Sequence, residues 1–197
     1  MKKLVVATKN RGKLIEIAEL LVDHDVKLYS LHDFPKMPDI VEDGETFEEN
    51  AIRKAMAAFE WTKLPAIADD SGLEVDALNG APGVHSARYG GNSATDEEKI
   101  DKLLAAMIDL PLEERTARFR CAMAFVDSEG EVFVTEGTCE GVIAFECRGS
   151  GGFGYDPIFM LREYGKTFAE LGSDIKNRIS HRAVALQKMR EILQERL

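Results

Sequence analysis

Apolar and polar positions along this chain fall into short blocks with distinct periods. Leu4 to Ala7 is a short apolar run and predicts a buried strand. Thr8 to Gly12 is polar with one glycine, so a turn follows. Leu14, Ile17, Ala18 and Leu21 then recur at helical spacing and predict an amphipathic helix. Val26 to Tyr29 reads as a second strand, and residues 31–45, with two prolines and an acidic cluster, as loop. Thr46 followed by Glu49 is a capping box for a helix through about Thr62. Ala66 to Ala68 predicts a strand that ends at Asp69-Asp70-Ser71-Gly72.

Asn79 to Ser93, rich in Gly and Ser and containing Pro82, reads as a long loop of the kind that often carries function. Thr95 and Glu98 form a second capping box, opening a helix with Ile100, Leu103, Leu104 and Met107 inward. Arg118 to Asp127 and Glu131 to Glu140 alternate around Asp127-Ser128-Glu129-Gly130, which predicts a hairpin, and Gly141 to Glu146 continues as strand. Residues 149–157 form a glycine-rich loop, and the C-terminal tail is helical with Ala185, Met189, Ile192 and Leu193 on one side. Helix–strand alternation followed by a hairpin predicts an α/β fold, a mixed sheet flanked by helices, as one domain over residues 1–197.

Composition narrows the function classes. The chain's 197 residues, 45% hydrophobic, support a real core. Lys+Arg number 25 against 35 Asp+Glu, a formal charge of -10, which argues against polymeric nucleic acid and anionic membranes as partners. The charge is uneven. Residues 1–13 carry +5 (Lys2, Lys3, Lys9, Arg11, Lys13) and residues 173–197 carry +3, so an acidic protein has two basic ends. Cys121, Cys139 and Cys147 are odd in number, lack C-x-x-C spacing and read as small buried thiols in a reducing cytoplasm. Leu4 to Ala7 is too short for a signal-peptide core, and six-residue apolar runs such as Cys121 to Val126 are too short to span a membrane. A cytoplasmic protein is expected.

Five segments invite chemistry. Thr8-Lys9-Asn10-Arg11-Gly12-Lys13 leaves a strand and enters a helix, so free amides and a positive dipole end face whatever sits there. That suits a phosphate cradle, and equally an ordinary turn with surface lysines. It lacks Walker A spacing. Asp69 and Asp70 are costly to bury without a cation or donor, and strand alternation points them to opposite sides. One can serve Mg²⁺ while the other anchors backbone; a capped turn is the competing reading. Glu42 and Glu45 lie in the acidic loop and either suits a metal shell, whereas Glu48 and Glu49 fit a solvated helix start. In the loop Gly149 to Pro157, Phe153 or Tyr155 suits stacking on a base, against a hydrophobic plug. Lys176, Asn177 and Ser180-His181-Arg182 form a weaker pattern of planar and charged donors. His24, His32 and His85 show no ligand spacing and read as structural.

Six motifs in order resemble the inosine triphosphate pyrophosphatase family, whose bacterial members are dITP/XTP pyrophosphatases. They are Thr8-x-Asn10-x-Gly12-Lys13; Glu49-Asn50-Ala51 with Lys54; Ala68-Asp69-Asp70-Ser71-Gly72; Gly80-Ala81-Pro82-Gly83 with Ser86-Ala87-Arg88-Tyr89; Gly151-Gly152-Phe153-Gly154-Tyr155-Asp156-Pro157; and Ser180-His181-Arg182. The resemblance runs from residue 3 to about residue 190. It implies an elongated fold with an active-site cleft between two lobes, a homodimer, and Mg²⁺-dependent hydrolysis of deaminated purine nucleoside triphosphates (ITP, dITP, XTP) to monophosphate and pyrophosphate, cleansing the nucleotide pool. By motif, it implies that Thr8, Lys9, Asn10, Arg11, Gly12 and Lys13 hold phosphates, and that Asp70 is general base and metal ligand with Glu42 as acidic partner. Ser71 would contact substrate, Phe153, Gly154, Tyr155 and Asp156 hold base and sugar, and Lys176, His181 and Arg182 complete base recognition. Two rival readings are a pyrophosphatase for other modified nucleotides and a nucleotide-binding module without turnover. Against the second stand Asp69, Asp70 and the acidic loop, because a pure anion binder has little use for carboxylates beside phosphate.

Overall fold

A computed structural model describes residues 2–22 and 25–197; Met1, Asp23 and His24 lie outside the described residues, and with them the structural reading of His24. Among the described residues seven strands form one sheet in the order β2-β1-β3-β4-β5-β6-β7: β1 (Lys2–Val6), β2 (Val26–Ser30), β3 (Ala66–Val75), β4 (Thr116–Val126), β5 (Val132–Ile143), β6 (Phe159–Leu161) and β7 (Lys166–Thr167). β1 pairs parallel with β2 and β3, while β6 pairs antiparallel with β5 and β7, so the sheet is mixed, as the alternation of elements predicts. The helices are α1 (Arg11–Leu20), α2 (Phe47–Thr62), α3 (Asp96–Ala106), α4 (Ser173–Ile179) and α5 (His181–Arg196). Among the described residues no helix is long and apolar enough to cross a membrane.

The helix starts follow their capping chemistry. Asn10 caps α1 by accepting the Lys13 amide at 3.1 Å. Thr46 accepts the Glu49 amide at 3.1 Å, but the Glu49 carboxylate takes the Glu45 amide at 2.8 Å, so the expected box is shifted by one residue. At α3 both halves of the box are present, Thr95 with Glu98. The expected loop over 79–93 contains a 3-10 turn at Gly83–Arg88, which shortens it.

Two expectations are corrected. β3 does not end at Asp69-Asp70-Ser71-Gly72 but runs through it to Val75, because cations from other elements meet both carboxylates. Cys147 is exposed, unlike the buried Cys121 and Cys139, because β5 ends at Ile143 and leaves the residue beyond the sheet.

The chain divides into two compact units. The first comprises Met1–Asp70, Cys121–Gly137 and His181–Leu197, and the second Ser71–Arg120 and Thr138–Ser180. The core of the first is built from Leu4, Val6, Ile17, Ile67, Phe125 and Met189, which joins β1, β3, β4, α1 and α5. The core of the second centres on Phe119, Phe159 and Phe168, whose ring centroids lie 4.6 to 5.9 Å apart, with Leu103 and Met107 of the α3 end packed on it.

Candidate active site

In the first unit, side chains from distant parts of the chain converge on the middle of β3. Asp69 and Asp70 alternate to different partners, as strand geometry requires. The fully buried Asp69 carboxylate accepts Lys13 Nζ at 3.0 Å and Arg182 Nη2 at 2.9 Å, with Arg182 Nε at 3.2 Å. Arg182 also pairs with Glu16 of α1. Asp69 binds two cations, one from each basic end of the chain. Asp70 accepts Lys54 Nζ at 2.9 Å and Asn50 Nδ2 at 3.2 Å, both from α2. Lys54 also donates to Glu42 at 2.7 Å, and Asn50 Oδ1 accepts the Gly44 amide at 2.8 Å, which ties the acidic loop to the helix.

The ionisation states follow from these pairings. Burial alone would raise Asp69, but Arg182, Lys13 and Lys54 hold its carboxyl well below the usual carboxylate range. Burial raises Asp70 above its ordinary value, against Lys54 and Lys13, and the Glu42 charge adds to the rise. Burial would lower Lys54, yet Asp70, Asp69 and Glu42 raise it, so it stays an ammonium. Arg182 is likewise held charged: burial disfavours the cation, but Asp69 and Glu16 more than compensate.

The turn before α1 uses two of its polar side chains locally. Thr8 Oγ1 accepts the Asn10 amide at 3.1 Å and Asn10 caps Lys13, so these two shape the turn. The Arg11 and Gly12 amides stand in the first helical turn, where a helix offers no carbonyl of its own. Lys9 lies on the surface against Asp39, while the Lys13 side chain is mostly buried on Asp69. Ser71 is half-buried directly after Asp70.

The donor set bears on Mg²⁺. Among the described residues no group of three or more His, Cys, Asp or Glu side chains could hold a metal. Mg²⁺ needs fewer, since it takes one or two carboxylates and completes its shell with waters and substrate phosphates. Glu42 and Asp70 both accept the Lys54 ammonium, which brings the two carboxylates together, so a two-carboxylate seat fits these residues.

In the second unit, the glycine-rich loop is held by side-chain bonds. The Phe153 amide donates to Asp156 Oδ2 at 2.9 Å, and Lys176 Nζ donates to the same oxygen at 2.5 Å. The ammonium also lies 4.8 Å from the Phe153 ring centroid and 5.5 Å from that of Phe168. Gly152 has φ +75, and a Cβ there would fall 2.1 Å from Asp156 Oδ2, so only glycine lets the loop close on this carboxylate. The Gly154 amide donates to Asp96 Oδ2 at 2.7 Å. The two aromatics separate: Tyr155 is buried in the core and donates its hydroxyl to the Ser86 carbonyl at 2.9 Å, whereas Phe153 stays half-buried over Lys176. Burial accordingly pushes the Tyr155 phenol up.

The C-terminal motif opens α5. Gly137 lets that helix start approach β5, since a Cβ there would lie 2.0 Å from the His181 carbonyl oxygen. His181 and Arg182 are both buried. Asn50 and Lys54 were not singled out for chemistry from the sequence beyond their place in a motif. A signal was present: they are polar residues spaced i, i+4 on the α2 face that otherwise buries Phe47, Ala51, Ala55 and Ala58.

Residues 4–192 match the Ham1 family. The chain is 54% identical over 195 residues to a dITP/XTP pyrophosphatase of Geobacillus kaustophilus, covering 99% of this chain and 96% of that one. It is 53% identical over 191 residues to a dITP/XTP pyrophosphatase of Desulforamulus reducens, covering 97% and 95%. Its fold matches the structure of a HAM1 protein from Coxiella burnetii with TM-score 0.88 and 46% identity, covering 99% of this chain and all of that one. The Staphylococcus aureus Ham1 protein matches with TM-score 0.87 and 40% identity over 98% of this chain and 99% of that one. An α/β chain with a carboxylate and lysine cluster on its third strand, this protein belongs to the Ham1 family.

Proposed function

We propose that the chain is a nucleoside triphosphate pyrophosphatase that hydrolyses ITP, dITP and XTP to the monophosphate and pyrophosphate. The observation that carries this reading is the convergence on β3, where Asp70 sits beside Glu42 and Lys54 while Asp69 holds Lys13. The names of relatives at over half identity point to two of these substrates, dITP and XTP.

In this reading the turn from Thr8 to Lys13, including Lys9, Asn10, Arg11 and Gly12, binds phosphate oxygens through helix-start amides and the Lys13 ammonium. Asp69 orients Lys13 and does not itself meet substrate. Asp70 is the general base: it accepts a proton from the attacking water at its carboxylate, and its raised affinity for protons suits that task. Lys54 sets the geometry of Asp70 and Glu42 and offers positive charge beside the reacting phosphate. Glu42 and Asp70 would hold Mg²⁺, which when bound neutralises phosphate charge. Ser71 contacts the substrate next to Asp70. Phe153, Gly154, Tyr155 and Asp156 shape the base site, with Phe153 as the stacking ring and Tyr155 as its buried support. Lys176, His181 and Arg182 complete base recognition. Arg182 only donates, so a purine C6 carbonyl is accepted and the C6 amino group of adenine is left unpaired. A homodimer working in the cytoplasm completes the reading, as the resemblance to the pyrophosphatase family implies.

The test is pyrophosphate release from ITP, dITP, XTP, ATP and GTP, each with and without Mg²⁺. Release from the first three only with Mg²⁺, at kcat/KM well above ATP and GTP, is expected. Turnover confined to other modified nucleotides overturns the substrate assignment. Nucleotide retained without hydrolysis in Mg²⁺ overturns the enzymatic reading.

A further inference from the structure

The Phe153 loop forms neither helix nor strand, so its ring is only as well placed as its tethers. Two tethers come from within the glycine-rich motif: Asp156 on the Phe153 amide, and the Tyr155 hydroxyl on the Ser86 carbonyl. A further tether comes from a residue outside every motif singled out above. Asp96, the first residue of α3, accepts the Gly154 amide at 2.7 Å from 58 residues away. Its other oxygen receives Lys99 Nζ at 2.6 Å. The Thr95–Glu98 capping box fixes the helix start that carries it. A carboxylate acceptor makes a bond to an amide roughly twice as strong as a neutral one. The tether therefore grips a residue at φ +60, directly after Phe153.

We propose that Asp96 is a positioning residue: by holding the Gly154 amide it sets the Phe153 ring in the orientation that receives the purine base. The proposal rests on the functional reading above and deepens its base site. Asp96 touches neither substrate nor the reacting atoms in this reading; it acts through the loop.

The experiment compares full-length Asp96→Ala, Asp96→Asn and Thr95→Ala by hydrogen exchange of the segment 150–157 and by steady-state pyrophosphate release from ITP, dITP and XTP. Asp96→Ala should speed Gly154 exchange about tenfold and raise KM about tenfold with kcat held within about twofold. Asp96→Asn keeps an acceptor oxygen and should recover most of both. Thr95→Ala loosens the helix start that carries the tether but leaves the Asp96 carboxylate in place, so its KM should rise clearly less than that of Asp96→Ala. Unchanged exchange in Asp96→Ala overturns the tether. Faster exchange with unchanged KM overturns the positioning role, as does an equal KM rise in Thr95→Ala. Wild-type protein that releases no pyrophosphate from these three nucleotides overturns the functional reading and the role of the ring with it, while the exchange arm still decides the tether by itself.

Discussion

In the first unit Glu16, Glu42, Asp69 and Asp70 meet Lys13, Lys54 and Arg182 around one strand; in the second, Asp156 and Lys176 meet inside a loop of glycines and aromatics. The first arrangement binds together α1, α2, β3 and α5, so its charges serve the fold as well as the chemistry. Removing one member leaves a buried partner unpaired. The second arrangement is smaller, a single ion pair between the loop and α4. Its lysine is shared between a carboxylate and two rings, and its backbone is held by single hydrogen bonds. Charge changes in the first unit should therefore cost turnover and stability together. Changes in the second should move substrate affinity and leave the rest of the molecule in place.

The largest effect expected is at Asp70. Asp70→Asn keeps the shape and an acceptor oxygen but removes the proposed base, so pyrophosphate release from ITP should fall about 10²–10⁴-fold. Nucleotide binding, read by calorimetry, should persist. Release at the wild-type rate overturns the role proposed for Asp70 and the expected loss of turnover from charge changes in the first unit.

Next in size is Asp69, where the comparison concerns stability. Asp69→Ala leaves Arg182 and Lys13 without their shared buried carboxylate, and urea unfolding should show a loss of about 3–5 kcal/mol. A loss under 1 kcal/mol would mean that Glu16 alone satisfies Arg182, and that the two basic ends of the chain are not joined through β3.

How far this difference was legible in the sequence depends on the range of the contacts. The caps Asn10, Thr46 and Thr95 act within four residues, so α1, α2 and α3 were readable from local pattern. Asp69 and Asp70 looked like the end of a strand because adjacent carboxylates in an apolar run carry no local sign of neutralisation. The arginine that neutralises Asp69 lies 113 residues away. The loop aromatics were readable as a pair, but only the core around Ser86 separates the anchored Tyr155 from Phe153. β6 and β7, at three and two residues, are too short to leave a period. Asp96 was hidden in plain capping chemistry, where an acidic residue in the first turn has an ordinary explanation.

A smaller effect separates the two aromatics. Phe153→Ala should weaken the base site by about 1–3 kcal/mol, read as a rise in KM, while thermal unfolding stays near wild type. Tyr155→Phe removes one buried hydrogen bond that also tethers the loop, and should cost about 1 kcal/mol of stability with a KM rise smaller than that of Phe153→Ala. The reverse pattern would exchange their roles, making Tyr155 the ring that meets substrate and Phe153 its support.

The smallest effect uses the cysteines as reporters placed one side each. Cys121 lies in the first unit with Sγ 4.0 Å from Asp69 Oδ2, and burial together with that carboxylate pushes its thiol up to about 12. Cys139 lies in the second unit, where burial and the nearby Glu140 push its thiol to about 11. Cys147 is exposed, and its thiol is raised by burial and by Asp101 and Glu97. The thiolate is the reactive form, so at pH 8 a disulfide reagent should modify Cys147 first and leave the other two protected in the native protein. In Asp69→Ala the loss of the cluster should expose Cys121 to reagent sooner, with Cys139 keeping its native rate. Equal acceleration of both thiols would show that the charge cluster stabilises the second unit as much as the first, and the contrast between a region held by a network of buried charges and one held by a single ion pair and separate hydrogen bonds would not survive.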